Sequence, residues 1–262
     1  MSHKTLLVAD DGLIRTITLN RPEKRNAMTP AMQTELIAAM HEAASSQCRV
    51  LVFAGAGEAF CAGLDLSVLL TMMDKPGEEH RADAERVATL LRTLYELPLP
   101  TIAAVHGPAI AGGTGLATIC DFTLVTPAAK FGYTEARIGF LPALVSAFLA
   151  LQIGDKRSRD LLLTARIFGA DEALRLGLVN EIIAAGELEQ RVQTLAQSLI
   201  ANSPQSLAGT KRLLAAQNKA WLDAAIDLAM DANAESRGTV DFREGVTAFL
   251  EKRQPDWGRN SN

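Results

Sequence analysis

At 262 residues with 48% hydrophobic side chains, the chain can bury a sizeable core in one large domain, or in one domain with a helical appendage. Lysine and arginine number 26 against 30 aspartates and glutamates, and a net charge of -4 excludes a general electrostatic attraction to nucleic acid or anionic lipid. There is no run of 18 apolar residues and no signal-peptide pattern in MSHKTLLVADDG, so a cytoplasmic, membrane-free protein is expected.

The first pattern along the chain is a hairpin, LLVA then DDG then LIRTITL, in which Ile14, Thr16 and Thr18 alternate with Arg15, Ile17 and Leu19. The loop NRPEKRNA follows it. Thr29 and Pro30 then supply an N-cap and a first-turn proline for a helix with Met32, Leu36, Met40 and Ala43 on one face. RVLVFAG reads as a buried strand, followed by AFCAGLDL. The polar stretch DKPGEEHRADAER predicts a mobile or irregular excursion before a helix that ends at LYELPLP. Strand TIAAV, a run of small residues, helix LATIC, strand FTLV and the segment KFGYTEARIGF complete a strand-helix alternation that favours a layered α/β fold. From about Leu144 onward the pattern is almost entirely helical, with boundaries at Gly154, Gly169, Gly177, Gly186 and the pair Ser203-Pro204. The reading is one α/β core over residues 1–200 and a helical C-terminal subdomain over 201–262. On that subdomain Leu222, Ile226, Leu228 and Met230 predict burial between subunits. Cys48, Cys61 and Cys120 are scattered, without a CxxC pair or a histidine at ligand spacing. They read as buried or half-buried thiols, with no disulfide framework and no metal site.

The most informative stretch is HGPAIAGGTGLATICDF, from His106 to Phe122, with Ala109, Ala111, Gly112, Gly113 and Gly115 between a strand and a helix. A strand that runs through glycines into a helix presents free N–H groups where the helix dipole also favours negative charge, which suits an anion or a developing oxyanion. Tight helix-strand packing would use the same residues. GGTGL matches neither a phosphate loop nor the dinucleotide fingerprint. A second loop, GEAFCAGLDL, again follows a hydrophobic strand and again offers small residues, Cys61, Ala62 and Gly63. Glu135, taken alone, reads as a solvated carboxylate paired with Arg137 more often than as a catalyst, and Asp65 and Asp121 read as caps beside turns.

Together with NRPEKRNAM upstream, and with FGYTEARIGFLPA, RIFGADEALRLGLVNEII and FREGVTAFLEKR downstream, these segments resemble the enoyl-CoA hydratase/isomerase family, or crotonase superfamily, nearly end to end. The resemblance implies a crotonase-like α/β fold of repeated ββα units with a helical C-terminal subdomain, a homotrimer or dimer of trimers, and acyl-CoA thioesters as substrates. Coenzyme A then enters only as part of the substrate, and no separate cofactor is implied. The backbone N–H groups of Leu64 and Gly112 match the family's oxyanion hole, and Glu135 matches one of the two glutamates between which its hydratases hold water. At the other glutamate position this chain has Gly115. That departure favours one-base chemistry, such as double-bond isomerisation, over the addition of water to a 2-enoyl-CoA; a CoA-ester binder with little turnover is a further alternative. The resemblance also places CoA near Glu23, Lys24 and Arg25 and against Ala62 and Leu64, and brings Lys252 to a CoA phosphate across a subunit boundary. Gly63, Gly113 and Gly115 complete the expected substrate wall. Ser67 stands where some members carry another phosphate-facing lysine.

Overall fold

The computed structural model describes residues 3–258. Two runs of strand-forming residues fold back on each other as β1 (Leu6–Asp11) and β2 (Ile14–Leu19), with Gly12 taking the turn at φ +59°. Helix α1 (Pro30–Ala44) starts where the sequence predicts it. The Thr29 hydroxyl accepts from the Met32 N–H, Pro30 occupies the first turn, and Met32, Leu36, Met40 and Ala43 are buried. The helix returns the chain to β3 (Val50–Gly55), which runs parallel to β2. Helices α2 (Leu66–Met72) and α3 (Gly77–Glu96) precede β4 (Thr101–Val105), and the two-residue β5 (Ala109–Ile110) leads directly into α4 (Gly112–Ile119). Then come β6 (Phe122–Val125), β7 (Lys130–Gly132), α5 (Ala143–Thr164, kinked at Gly154), β8 (Phe168–Gly169) and α6 (Ala170–Leu176). The last elements are β9 (Glu181–Ile182), α7 (Leu188–Ile200), α8 (Pro204–Ser236) and α9 (Val240–Leu250).

The result is a mixed α/β architecture. A six-stranded sheet has the order β1-β2-β3-β4-β6-β9 and is parallel apart from its first hairpin; a small sheet has the order β5-β7-β8. Because side chains alternate along β3, Leu51 and Phe53 join the main core with α1, α3, α4 and α5, while Val50 and Val52 meet Val192, Ala196 and Leu199 of α7 on the other face. Burial on both faces is why the strand VLVFAG is apolar without interruption. Among the described residues, no helix is long and apolar enough to cross a membrane.

Three local expectations are corrected. The stretch expected to be an irregular excursion is helical from Gly77. Glu78 and Glu79 occupy the first turn of α3 and Arg81 pairs with Glu85, while His80, Asp83 and Ala84 face inward. The region from Leu144 onward, expected to be almost entirely helical, also carries the short strands Phe168–Gly169 and Glu181–Ile182, the latter the last strand of the main sheet. Finally, Leu222 and Ile226 are buried in the chain's own core and Met230 packs against it; only Leu228 points outward. Helix α8 lies along α3 and α5, so positions 222, 226 and 229 share its inner face. The C-terminal helices are thus stitched to the core; residues 259–262 of the segment read as a subdomain lie outside the described residues.

Candidate active site

Two loops meet at the C-terminal ends of the central strands. Cys61 and Ala109 form an isolated parallel bridge, and the Ile110 N–H donates to the Cys61 carbonyl at 2.8 Å. The small residues allow this approach. A Cβ on Gly113 would lie 2.2 Å from the Cys61 oxygen, and one on Gly63 would lie 2.9 Å from the Ile110 oxygen. Gly63 also sits at φ +89°, which disfavours any other residue. Tight packing brings the loops together, and the packed loops leave two backbone N–H donors without a backbone acceptor among the described residues.

Those donors are the N–H groups of Leu64 and Gly112. On the first loop, Met28 donates to Gly63 and Asp65 donates to Met28, so the peptide between them turns the Leu64 N–H away from that bridge. On the second, Ala111 holds φ 53°, ψ -124°, a conformation that costs a non-glycine residue about 1–3 kcal/mol. Its carbonyl accepts from Thr114 and Gly115, and the Gly112 N–H is left at the helix start. Among the described residues neither N–H donates to a backbone carbonyl, and both residues line a cavity of about 760 Å³. Strain that leaves a donor open to a cavity is an arrangement for binding negative charge.

Glu135 lies on the same cavity, at the start of a 3-10 turn, Glu135–Ile138, that follows β7. It is buried, its Oε2 has no partner among the described residues, and burial pushes its carboxyl up to about 7. Arg137 is exposed at the cavity rim and does not pair with it. A carboxyl tuned to neutrality beside two free N–H donors can exchange a proton with a substrate carbon whose neighbouring oxygen gains charge.

Gly115 lies inside α4, and a Cβ there would sit 2.6 Å from Cγ1 of Val145, a residue of α5 that itself lines the cavity. An apolar side chain thus occupies the space a carboxylate at 115 would need. Ala62 and Arg25 line the cavity as expected, Arg25 at its exposed rim beside Glu58. Lys24, Gly63, Gly113, Gly115 and Lys252 do not line it; Gly63 and Gly113 let the two loops approach from behind the wall, while Lys24 and Lys252 are exposed. Helix α9 covers its own chain's cavity, with Phe242 and Val246 packed against Phe140 and Leu69, and Arg253 lines the rim instead of Lys252. Asp65 is a cap, accepting from the Ser67 N–H and pairing with Arg21, and Asp121 accepts from Thr101 and Lys211. Sequence reasoning missed Phe140 and Asn233, both on the cavity wall. Phe140 follows a glycine turn and Asn233 sits within a long mixed helix, so no motif marks either.

Comparison with known proteins bears on the same assembly. The family model for enoyl-CoA hydratase/isomerase matches residues 10–260. A Thermus thermophilus protein provisionally named an enoyl-CoA hydratase is 41% identical over 251 residues, covering 95% of this chain and 99% of that protein. The short-chain-enoyl-CoA hydratase of Clostridium acetobutylicum is 30% identical, covering 99% of this chain and all of that protein. Among solved structures, an enoyl-CoA hydratase from Mycobacterium avium subsp. paratuberculosis superimposes with a TM-score of 0.86 at 28% identity, covering 98% of this chain and 99% of that one. With its fold and nearly its whole length matched, the chain belongs to the enoyl-CoA hydratase/isomerase family.

Proposed function

We propose that this acyl-CoA enzyme stabilises a thioester enolate with the N–H groups of Leu64 and Gly112 and uses Glu135 as its single acid/base, with movement of a double bond along the acyl chain as its reaction. In a 3-enoyl thioester the Glu135 carboxylate removes a proton from C2. The C–H electron pair is delocalised onto the thioester oxygen, and the two backbone donors stabilise that charge. The same carboxyl then returns its proton to C4, and the conjugated 2-enoyl thioester results. One base serves both steps, so no second carboxylate is needed. CoA is bound as part of the substrate, with Arg25 at the rim and Ala62 and Leu64 against it, and no separate cofactor takes part.

The observation that carries this reading is Val145, which fills the space a carboxylate side chain at position 115 would need. Hydration is the second reading, favoured by the name of the Clostridium acetobutylicum relative. An assay of purified protein with a 2-enoyl-CoA and a 3-enoyl-CoA side by side tests the choice. Isomerisation with the larger kcat/KM is expected; hydration without isomerisation overturns the one-base reading, and binding without turnover of either thioester overturns catalysis altogether.

A further inference from the structure

The wall of the cavity is not uniformly apolar. Val87, Leu90 and Leu91 of α3 form it with Phe140 and Leu144, but Asn233 of α8 stands among them at 4% exposure. Its Oδ1 accepts two hydrogen bonds from Arg237, one turn further on, from Nε at 3.2 Å and Nη2 at 3.1 Å. Because a guanidinium only donates, the oxygen of this amide is fixed toward Arg237 and its Nδ2 is fixed on the other side. Nδ2 has no acceptor among the described residues.

Behind Asn233 lies a charged cluster in which Asp83 and Arg237 are buried and Arg86 is half-buried. Asp83 of α3 pairs with Arg237 through Oδ2 at 2.7 Å and with Arg86 through Oδ1, so one carboxylate serves two guanidinium groups. Around it, Gln33 accepts from Arg86, and the His80 ring is engaged by the Met72 carbonyl. Arg237 is 2% exposed, and its Nη1 has no acceptor among the described residues. Its guanidinium lies over the Phe140 ring, 5.5 Å from the centroid, and Phe140 is itself part of the cavity wall. Burial pulls the Arg237 guanidinium below its ordinary value while Asp83 pulls it back up. Among the described residues the other buried acids are Asp65, held by Arg21, and Glu135, at the reacting end. The cavity wall therefore presents one free donor at Asn233, backed by a buried guanidinium that shares its carboxylate partner with Arg86.

A plain alkyl end would bury that donor without an acceptor, whereas an anion would satisfy it and offset the charge behind it. We infer that the preferred thioester carries a carboxylate at the far end of its acyl chain, which accepts from Asn233 Nδ2 and lies against the Arg237–Asp83–Arg86 cluster. The inference rests on reading this cavity as the acyl-CoA site with Glu135 at its reacting end. It is tested with saturated thioesters, which bind without turnover: dicarboxylyl-CoAs of four to eight carbons, titrated calorimetrically against straight-chain acyl-CoAs of equal length. At least tenfold tighter binding of the carboxylate-ended member is expected at one or more lengths. Asn233→Leu, which keeps the volume and removes the donor, should bring the pair within about twofold. Equal or weaker binding of the carboxylate-ended thioester at every length overturns the inference in the parent protein alone, whether or not the variant folds. An undiminished preference in a folded Asn233→Leu protein overturns it too. Glu135→Gln separates this from the proposed reaction: a carboxylate preference with unimpaired turnover refutes the role of Glu135 only, and lost turnover without a preference refutes the far-end site only.

Discussion

Glu135 is an ordinary residue in the sequence and an unusual one in the fold. Nothing within FGYTEARIGF distinguishes it from a solvated partner of Arg137; its role there is legible only through the family resemblance. Its burial beneath the wall of the cavity comes from β7 and the turn that follows. Two expectations belong to this carboxyl. Glu135→Gln should lower kcat by about 10² or more while CoA-thioester affinity stays nearly intact, and turnover within about threefold of the parent would remove it from the mechanism. In the parent, isomerisation kcat/KM should rise through about pH 7 as the carboxyl ionises into its basic form. The stability effect has the opposite sense. Because the folded value lies above the ordinary 4.5, the native state keeps its proton longer, and the stability this gives is complete below about pH 4.5 and lost as pH rises through 7. Glu135→Gln should therefore gain stability over the parent at pH 8 relative to pH 5, by roughly 3 kcal/mol in urea unfolding. Gly115 calls for a double substitution. Alone, Gly115→Glu brings its Cβ within 2.6 Å of Val145 Cγ1 and should be destabilised; with Val145→Ala the nearest atom of residue 145 becomes Cβ at 3.5 Å, an ordinary contact. The pair should raise the ratio of hydration to isomerisation, measured on matched thioesters. An unchanged ratio in a folded protein would mean that this wall does not face the reacting carbons.

At the scale of elements, the site is made by two loops whose separation is set by missing side chains. Gly63→Ala adds a Cβ 2.9 Å from the Ile110 oxygen at a φ of +89°, so the loop carrying Leu64 must move. Displacing one oxyanion donor should lower kcat by about 10²–10³, or ~2.7–4 kcal/mol, with a far smaller change in thioester affinity. Circular dichroism and a binding titration would separate this from unfolding; a kcat near that of the parent would mean that the Leu64 N–H is not a donor to the reaction. Gly113→Ala is the harsher change, since its Cβ would lie 2.2 Å from the Cys61 oxygen at the base of both loops, and loss of soluble protein is expected. Helix α3 teaches the converse lesson. Its polar first half gave no apolar periodicity, yet it is helical because its charges pair along the surface and its buried face holds Asp83 within a cluster of partners.

For the molecule as a whole, the family resemblance implies a trimer or a dimer of trimers, and the outward faces of the C-terminal helices carry exposed apolar side chains. Leu213, Leu214, Trp221 and Leu228 of α8 are all exposed, Leu228 at 72%. A monomer would leave these to water, which favours burial against another copy. Light scattering should give the mass of three or six chains at micromolar concentration, and Leu228→Glu should shift it toward monomer; a monomeric parent would refute the assembly. Because α9 covers the cavity of its own chain, thioester binding should survive dissociation unless a residue from another copy completes the site.

The sequence by itself determined the parts whose signals are local. Hairpin β1–β2 with Gly12, the Thr29-Pro30 start of α1, the doubly buried run of β3 and the glycine loops each follow from residues adjacent in the chain. The ordered set of motifs carried the family. Tertiary structure decided what depends on partners far apart in sequence: Val145 against Gly115, Asp83 between Arg86 and Arg237, Asn233 on a cavity with Glu135, and the division of α8 into a buried and an exposed face. Burial is set by all the neighbours of a residue at once. A carboxyl pushed up to about 7 and an amide held by a guanidinium owe their properties to residues that no window of sequence contains.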